Sequence, residues 1–143
     1  MSKIIAIAND HAGTELKKKI IDKFGKDYEF INCGTDDNLS VDYPDFSKKV
    51  CDLVLSKKAN FGILICGTGI GMSIAANKIH GIMAGKVNTP REAHLIREHN
   101  KANVMTLAEY TENLEDILDE FINTKPSEEE RYQRRVDKIM NLK

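Results

Sequence analysis

Cys66 and the three glycines after it form the part of the sequence best suited to chemistry. Cys66 ends the apolar run that starts at Phe61, and Gly67, Gly69 and Gly71 follow it. A short unbroken apolar run is typical of a strand buried on both faces of a parallel sheet. Glycines then allow a sharp turn and the close approach of a ligand to the backbone. This pattern predicts a thiol at the carboxyl end of a buried strand, facing a glycine loop.

Apolar residues at helical spacing over 72–79 predict a helix that begins at this loop. The free N–H groups and partial positive charge of a helix N-terminus bind a phosphate or a developing oxyanion, and they favour a thiolate. Abstraction of a proton next to a carbonyl requires such a base beside such donors. A free cysteine that ends a buried strand can instead be a small core residue, and position alone leaves both interpretations open.

The remaining chain alternates strands and helices. Predicted strands cover 4–8, 28–32, 61–66, 81–87 and 103–107, and predicted helices cover 14–24, 43–55, 72–79, 89–100, 111–123 and 127–140. This alternation predicts an α/β fold, a three-layer Rossmann-like sandwich with a parallel sheet of about five strands and right-handed crossovers. With 143 residues, the chain is long enough for one domain, 1–143, and too short for two.

Two helix starts carry capping signals. Thr89, Pro90 and Glu92 have the spacing of a capping box with proline at the first helical position. Ser127 and Glu130 suggest a second capping box at the start of the last helix. That helix, about 127–140, has one narrow apolar stripe, so we expect it to lie across a partner subunit rather than in the core.

The composition excludes several classes of function. The 21 basic residues nearly cancel the 22 acidic ones, so we expect no nucleic acid and no membrane surface as the main partner. We expect a cytoplasmic protein, because the sequence has no signal peptide and no apolar run of about 18 residues. The three cysteines lack zinc-type spacing, which favours reduced thiols and no metal. We interpret the lysine clusters at 17–19, 48–49 and 57–58 as solvated helix faces, and His80 and His94 as surface residues.

Polar residues also follow the first predicted strand. Asp10 and His11 stand at its carboxyl end, on the sheet edge where open α/β folds bind ligands. Arg131 and Arg135 lie one helical turn apart on the last helix, a spacing that suits a phosphate. From the residues alone, the two arginines can equally be part of a solvated run of charges. In the same way, His99 can be an ordinary surface histidine at the end of a helix.

With these residues in place, the chain resembles the ribose-5-phosphate isomerase B family, which includes galactose-6-phosphate and allose-6-phosphate isomerases. The segment ILICGTGIGMSIAANK, residues 63–78, is highly specific, and the matching segments follow the family's order along nearly the whole chain. They are residues 10–13, 41–45, 62–78, 97–104 and 131–139.

The resemblance implies aldose–ketose isomerisation of a phosphorylated sugar without a metal or organic cofactor. Cys66 corresponds to the base that moves a proton between C1 and C2 through a cis-enediolate, and Thr68 to the residue that shifts protons between the two oxygens. His99, from a neighbouring subunit, assists opening of the sugar ring together with Asp10. The loop amides of the anion hole correspond to Gly67, Gly69, Ile70 and Gly71.

The resemblance also implies a homodimer, or a dimer of dimers, with composite active sites. The residues that hold the phosphate, partly across the dimer, correspond to His11, Arg131 and Arg135. Tyr43 and Asn100 line the sugar. The leading hypothesis is therefore interconversion of ribose 5-phosphate and ribulose 5-phosphate. The alternatives are isomerisation of allose or galactose 6-phosphate, and a phosphosugar- or nucleotide-binding subunit without catalysis. A dinucleotide-binding domain is disfavoured because no suitable acidic residue follows the loop.

The sequence departs from the family pattern near the expected phosphate site. Tyr110 stands where the family usually has an arginine, and Glu109 adds a negative charge beside it. We expect phosphate binding to be weaker than usual, or to be rescued by Arg134, Lys86 or Arg91.

Overall fold

The computed structural model of the protein describes residues 2–142. Its strands are β1 (Ile4–Asn9), β2 (Glu29–Asn32), β3 (Phe61–Cys66), β4 (Ala84–Lys86) and β5 (Val104–Ala108). Its helices are α1 (Thr14–Phe24), α2 (Tyr43–Leu55), α3 (Ile70–Asn77), α4 (Pro90–Glu98), α5 (Leu114–Asn123) and α6 (Glu130–Met140), and a 3₁₀ turn covers His11–Gly13. The predicted fourth strand is shorter than expected, with three residues in place of seven.

The five strands form one parallel sheet in the order β2-β1-β3-β5-β4. The central strand β3 is buried along its whole length, as its unbroken apolar run predicts. Ile63 pairs with Ile7 on one side and with Met105 on the other. Gly62 is required in β3 because a Cβ at this position would lie 2.5 Å from the Val50 side chain, so α2 packs directly against the backbone of the strand.

Alternate residues of β3 face two separate apolar cores. Ile63 and Ile65 belong to the core under α1, α4 and α5, whereas Leu64 and Cys66 belong to the core under α2 and α3. The arrangement is the three-layer α/β sandwich predicted from the sequence. Within residues 2–142, no helix is both long and apolar enough to cross a membrane.

The starts of α4 and α6 differ in how well the sequence predicts them. Thr89 and Glu92 form the predicted capping box, with both reciprocal hydrogen bonds present. The predicted box at Ser127 and Glu130 is wrong, because α6 begins only at Glu130 and has no side-chain cap. The Ser127 N–H instead donates to the Glu98 carbonyl at 2.8 Å, so these residues tie the chain to the end of α4 and delay the helix by about one turn.

Candidate active site

The first half of the site lies where the carboxyl ends of β1 and β3 meet. The chain leaves β1 towards β2 on one side of the sheet, and β3 lies on the other side. Such a switch in direction opens a crevice at the carboxyl edge of a parallel sheet, where ligands bind. Asp10 follows β1 and Cys66 ends β3, and the Asp10 N–H donates to the Ile65 carbonyl at 3.0 Å. The backbone therefore holds these two residues side by side.

Cys66 is positioned at the glycine loop as predicted. Its side chain is only 5% exposed, and its Sγ accepts a hydrogen bond from the Gly69 N–H at 3.2 Å. Gly69 has φ +78°, a left-handed conformation in which a side chain would be strained. The Gly69 carbonyl accepts from the buried Thr106 hydroxyl at 2.9 Å. The loop is thus fixed from β5 in a shape that directs a backbone donor at the sulfur.

The other loop residues surround this donor. Gly67 accepts from the Glu109 N–H at 3.3 Å, a second tie to the end of β5. Thr68 is exposed, and its hydroxyl accepts from the Ile70 N–H at 3.2 Å. The first turn of α3 therefore presents the amides of residues 69–71 and the Thr68 hydroxyl on the same edge of the sheet as Cys66.

Tyr43 reaches this edge from the start of α2. A Cβ on Gly71 would lie 2.6 Å from Tyr43 Cζ, so the phenol ring lies directly on the Gly71 backbone. Tyr43 is 36% exposed. Because Gly71 has no side chain, the Tyr43 ring can pack beside the N-terminus of α3.

His11 and Asp10 are held by backbone groups. The Val41 N–H donates to His11 Nδ1 at 3.3 Å, so in the neutral imidazole the proton resides on Nε2. His11 can then donate Nε2–H to an anion without carrying a charge. Asp10 is 7% exposed, and its Oδ1 accepts from the Ala12 N–H at 2.9 Å, which closes the 3₁₀ turn and fixes the carboxylate at the crevice.

The remaining predicted site residues lie at the opposite edge of the sheet. α4 starts after the carboxyl end of β4 and runs back to the amino edge, where β5 begins, so His99 and Asn100 lie beside the amino ends of the strands. The His99 ring stacks on Tyr132 of α6, with centroids 4.3 Å apart and planes 6° apart. Arg131 and Arg135 flank the same Tyr132 ring, at 4.7 and 6.0 Å from its centroid.

Both arginines are exposed, although Arg131 also pairs with Glu129 at 3.2 Å. Within one chain, the structure therefore brings His99, Asn100 and the arginines together, but it does not bring them to Cys66. The sequence reasoning missed Tyr132, which belongs to the narrow apolar stripe of the last helix. Nothing in its spacing from Arg131 and Arg135 predicts that it stacks on a histidine near the end of another helix.

The candidate phosphate-rescuing cations are spread over both edges. Lys86 ends β4 at the carboxyl edge, with its Nζ 3.2 Å from Asn88 Oδ1, and Arg91 is exposed in the first turn of α4. Arg134 pairs with Glu130 at 2.6 Å on α6. Tyr110, which replaces the usual arginine, is 64% exposed.

Lys17 differs from its sequence interpretation, because the side chain expected on a solvated face is fully buried. His94 is at the surface as predicted, with a side chain that is 39% exposed, and it lies between two carboxylates, with Nδ1 2.8 Å from Glu120 and Nε2 2.9 Å from Glu98. The hydrogen bond with Glu120 is the main cause that raises the pKa of His94. No cluster of three or more histidine, cysteine or acidic side chains suited to a metal ion occurs in the described part of the chain.

Comparison with known proteins connects this geometry to one family. The model of the ribose/galactose isomerase family matches residues 5–139. A ribose-5-phosphate isomerase B of Listeria innocua is 44% identical over 104 residues, covering 72% of this chain and 70% of the relative.

Solved structures agree over almost the full length. A ribose 5-phosphate isomerase from Thermotoga maritima superposes with a TM-score of 0.93 at 44% identity, covering 99% of this chain and 100% of that one. The ribose-5-phosphate isomerase B of Mycoplasma genitalium with bound ribulose-5-phosphate gives a TM-score of 0.87 at 39% identity, covering 98% and 95%. Together with the cysteine, the glycine loop and the three-layer sheet, these matches show that the chain belongs to the ribose-5-phosphate isomerase B family of aldose–ketose isomerases.

Proposed function

We propose that this protein interconverts ribose 5-phosphate and ribulose 5-phosphate, with Cys66 as the catalytic base. The observation that carries the proposal is the placement of the Cys66 sulfur 3.2 Å from the Gly69 amide at the carboxyl edge. A base beside preorganised N–H donors suits proton abstraction next to a carbonyl, where negative charge develops on oxygen. The ribulose-5-phosphate bound by the Mycoplasma genitalium relative supports the same substrate class.

The proposed reaction starts from the open-chain aldose. The Cys66 thiolate removes the proton from C2, and the electron pair moves through C1 onto the carbonyl oxygen to give a cis-enediolate. Amides of the loop at residues 67–71 stabilise the negative charge. Thr68 helps transfer a proton from O2 to O1, and Cys66 returns its proton to C1 to give the ketose. Every proton removed is returned, so the reaction requires no cofactor.

We propose that each site is composite and contains residues of two subunits. Cys66 and His99 lie at opposite edges of the sheet in one chain, so a second subunit must supply the His99 side of the site. His99 would then assist ring opening with Asp10 of the neighbouring chain, while Arg131, Arg135 and His11 hold the phosphate. Tyr43 and Asn100 line the sugar.

Exposed apolar side chains support the assembly. Ile70 and Ile74 on α3 are 53% and 63% exposed, and Leu142 after α6 is 70% exposed. A groove of about 680 Å³ between the ends of α3 and α6 is lined by both polar and apolar residues, and Ile79 and Ile139 are among the apolar ones. Such surfaces on a small protein are characteristic of subunit contacts. A homodimer or a dimer of dimers would cover them, and we propose that this assembly acts in the cytoplasm.

The test is ketose formation from ribose 5-phosphate by the wild-type protein and by Cys66→Ala, in buffer containing a chelator. We expect activity that persists in chelator and collapses in the variant. Allose 6-phosphate and galactose 6-phosphate are measured in parallel. Turnover of a six-carbon sugar alone would keep the chemistry and change the substrate. Binding of all three without turnover would refute the enzyme and indicate a phosphosugar-binding subunit.

A further inference from the structure

The feature that the reaction leaves unused is the buried ammonium of Lys17 on α1. Its side chain is 0% exposed, and its Nζ donates to the Thr35 carbonyl and to the Asp36 carboxylate, both at 2.5 Å. Burial of an ammonium group costs free energy unless its partners are well placed. The Lys17 ammonium also lowers the pKa of Asp36 through their hydrogen bond, which favours the carboxylate form of Asp36.

Lys17 belongs to a buried group of three side chains that hold the loop between β2 and α2, residues 33–42. Asn9 Nδ2 lies 3.0 Å from the same Thr35 carbonyl that Lys17 binds. The Thr14 hydroxyl donates to the Asp37 carbonyl at 2.8 Å. Asn9 and Thr14 are 0% and 1% exposed. The backbone of this irregular loop is therefore fixed from β1 and α1, beneath the carboxyl edge of the sheet.

The same loop leads into two residues of the candidate site. Val41 supplies the N–H that binds His11 Nδ1 at 3.3 Å, and Tyr43, which follows the loop, lies on Gly71. Residues 33–42 form neither helix nor strand, so hydrogen bonds from outside the loop add to those within it, such as that from the Leu39 N–H to the Asp37 carboxylate, in setting its path. Among the three side chains that donate these hydrogen bonds from outside, Lys17 is the charged one, and it is fully buried.

We propose that Lys17 is a positioning residue of the isomerase, which through Thr35 and Asp36 fixes the 33–42 loop so that His11 and Tyr43 face the substrate. This proposal rests on the proposed function only where the test measures kcat and KM, because hydrogen exchange reports on the loop without any catalysis. Lys17 touches no reacting atom, and its effect passes entirely through the path of the loop.

The test compares Lys17→Met with Lys18→Met, an exposed neighbour on the same helix. Hydrogen exchange of backbone amides is measured in the full protein, together with kcat and KM for ribose 5-phosphate. We expect Lys17→Met to speed exchange in residues 34–42 about tenfold while β3 keeps its protection, because a hydrogen bond to a charged group is lost. We expect KM to rise about fivefold with kcat within about twofold, since uniform binding is weakened. Lys18→Met should match the wild type.

Asp36→Ala provides a second test that does not depend on filling a buried site, because the Asp36 side chain is 68% exposed. Asp36→Ala should also speed exchange in residues 34–42 and raise KM, with increases about a third as large as those of Lys17→Met. If Lys17→Met does not fold, the result for Asp36→Ala decides whether Lys17 positions the loop. Unchanged exchange in 34–42, or faster exchange spread equally over β3, would overturn the proposal, as would a loosened loop with an unaltered KM. Absence of isomerase activity in the wild type would refute the proposed function but not the role of Lys17. In that case, the affinity for the phosphosugar, measured by calorimetry, would replace KM in the comparison of wild type with Lys17→Met.

Discussion

Mixing two inactive variants should restore activity if the site is shared between subunits. The first variant is Cys66→Ala, and the second carries Arg131→Ala with Arg135→Ala. The five residue steps of β3, at about 3.3 Å each, separate the two sheet edges by about 17 Å, farther than an arginine side chain reaches. In a mixed dimer, one site carries all the lesions and the other site carries none.

The size of the recovery follows from the symmetry. Random exchange of equal amounts makes about half of the dimers mixed, and half of the sites in those dimers are intact, so about a quarter of wild-type activity should return. The parents should be far weaker. Loss of the general base costs about 10²–10⁴-fold. Loss of two hydrogen bonds to charged groups, each contributing about 1.5–3 kcal/mol, costs a similar factor in kcat/KM.

The assay follows ketose formation after the two variants are unfolded together and refolded, with mixed dimers quantified by native mass spectrometry. A matched control mixes Cys66→Ala with Asp10→Asn. Both of these residues lie at the carboxyl edge of one chain, so no mixed dimer contains an intact site and activity should stay at the parental level. If mixed dimers form and the first mixture is no more active than its parents, the composite site is refuted.

Three further predictions concern single groups. Iodoacetamide at pH 8 should label Cys66 before Cys51, as read by peptide mass spectrometry, because burial raises the pKa of Cys51 to about 11 and leaves only about one thiolate in a thousand; equal labelling would contradict this. Gly69→Ala should cost about 1–3 kcal/mol of stability by denaturant titration and lower kcat, because its φ of +78° is strained for alanine; unchanged kcat would separate the loop from catalysis. The raised pKa of His94 stabilises the folded protein below about pH 6.5, and this stabilisation is lost as the pH rises through the pKa that His94 has in the folded state. The lowered pKa of Glu120 stabilises the folded protein above about pH 4.5, and this stabilisation is lost as the pH falls through the pKa that Glu120 has in the folded state. The melting temperature of the wild type should therefore be highest between about pH 4.5 and pH 6.5. In Glu120→Gln, the melting temperature should vary less with pH over this range.

The elements that carry regular patterns could be predicted from the sequence. The unbroken apolar run of β3, the glycine loop and the capping box at Thr89 each specify their structure locally, and each is confirmed. Ser127 shows the limit of such reasoning. Its capping pattern is outweighed by a hydrogen bond to Glu98, a residue far away in sequence, which no local signal reveals.

Lys17 shows a second limit, although a signal was present. It lies three residues before Ile20 and seven before Phe24, on the buried face of α1, yet the adjacent lysines suggested a solvated run. Its partners, Thr35 and Asp36, lie on a loop without periodicity, so their contact with α1 could not be anticipated. The separation of Cys66 from His99 needed the direction of α4 in the folded chain, which follows from topology rather than from either residue.

The division of site residues between opposite sheet edges has a genetic consequence. In the proposed composite dimer, a subunit with a lesion at one edge would disable one of the two sites when it pairs with a wild-type subunit. A subunit with Cys66→Ala and Arg135→Ala together would spoil both. In a cell that expresses both alleles equally, the first defect would leave about half of the sites intact, whereas the second would leave about a quarter. Inheritance of lost activity would therefore report which lesions lie on the same edge.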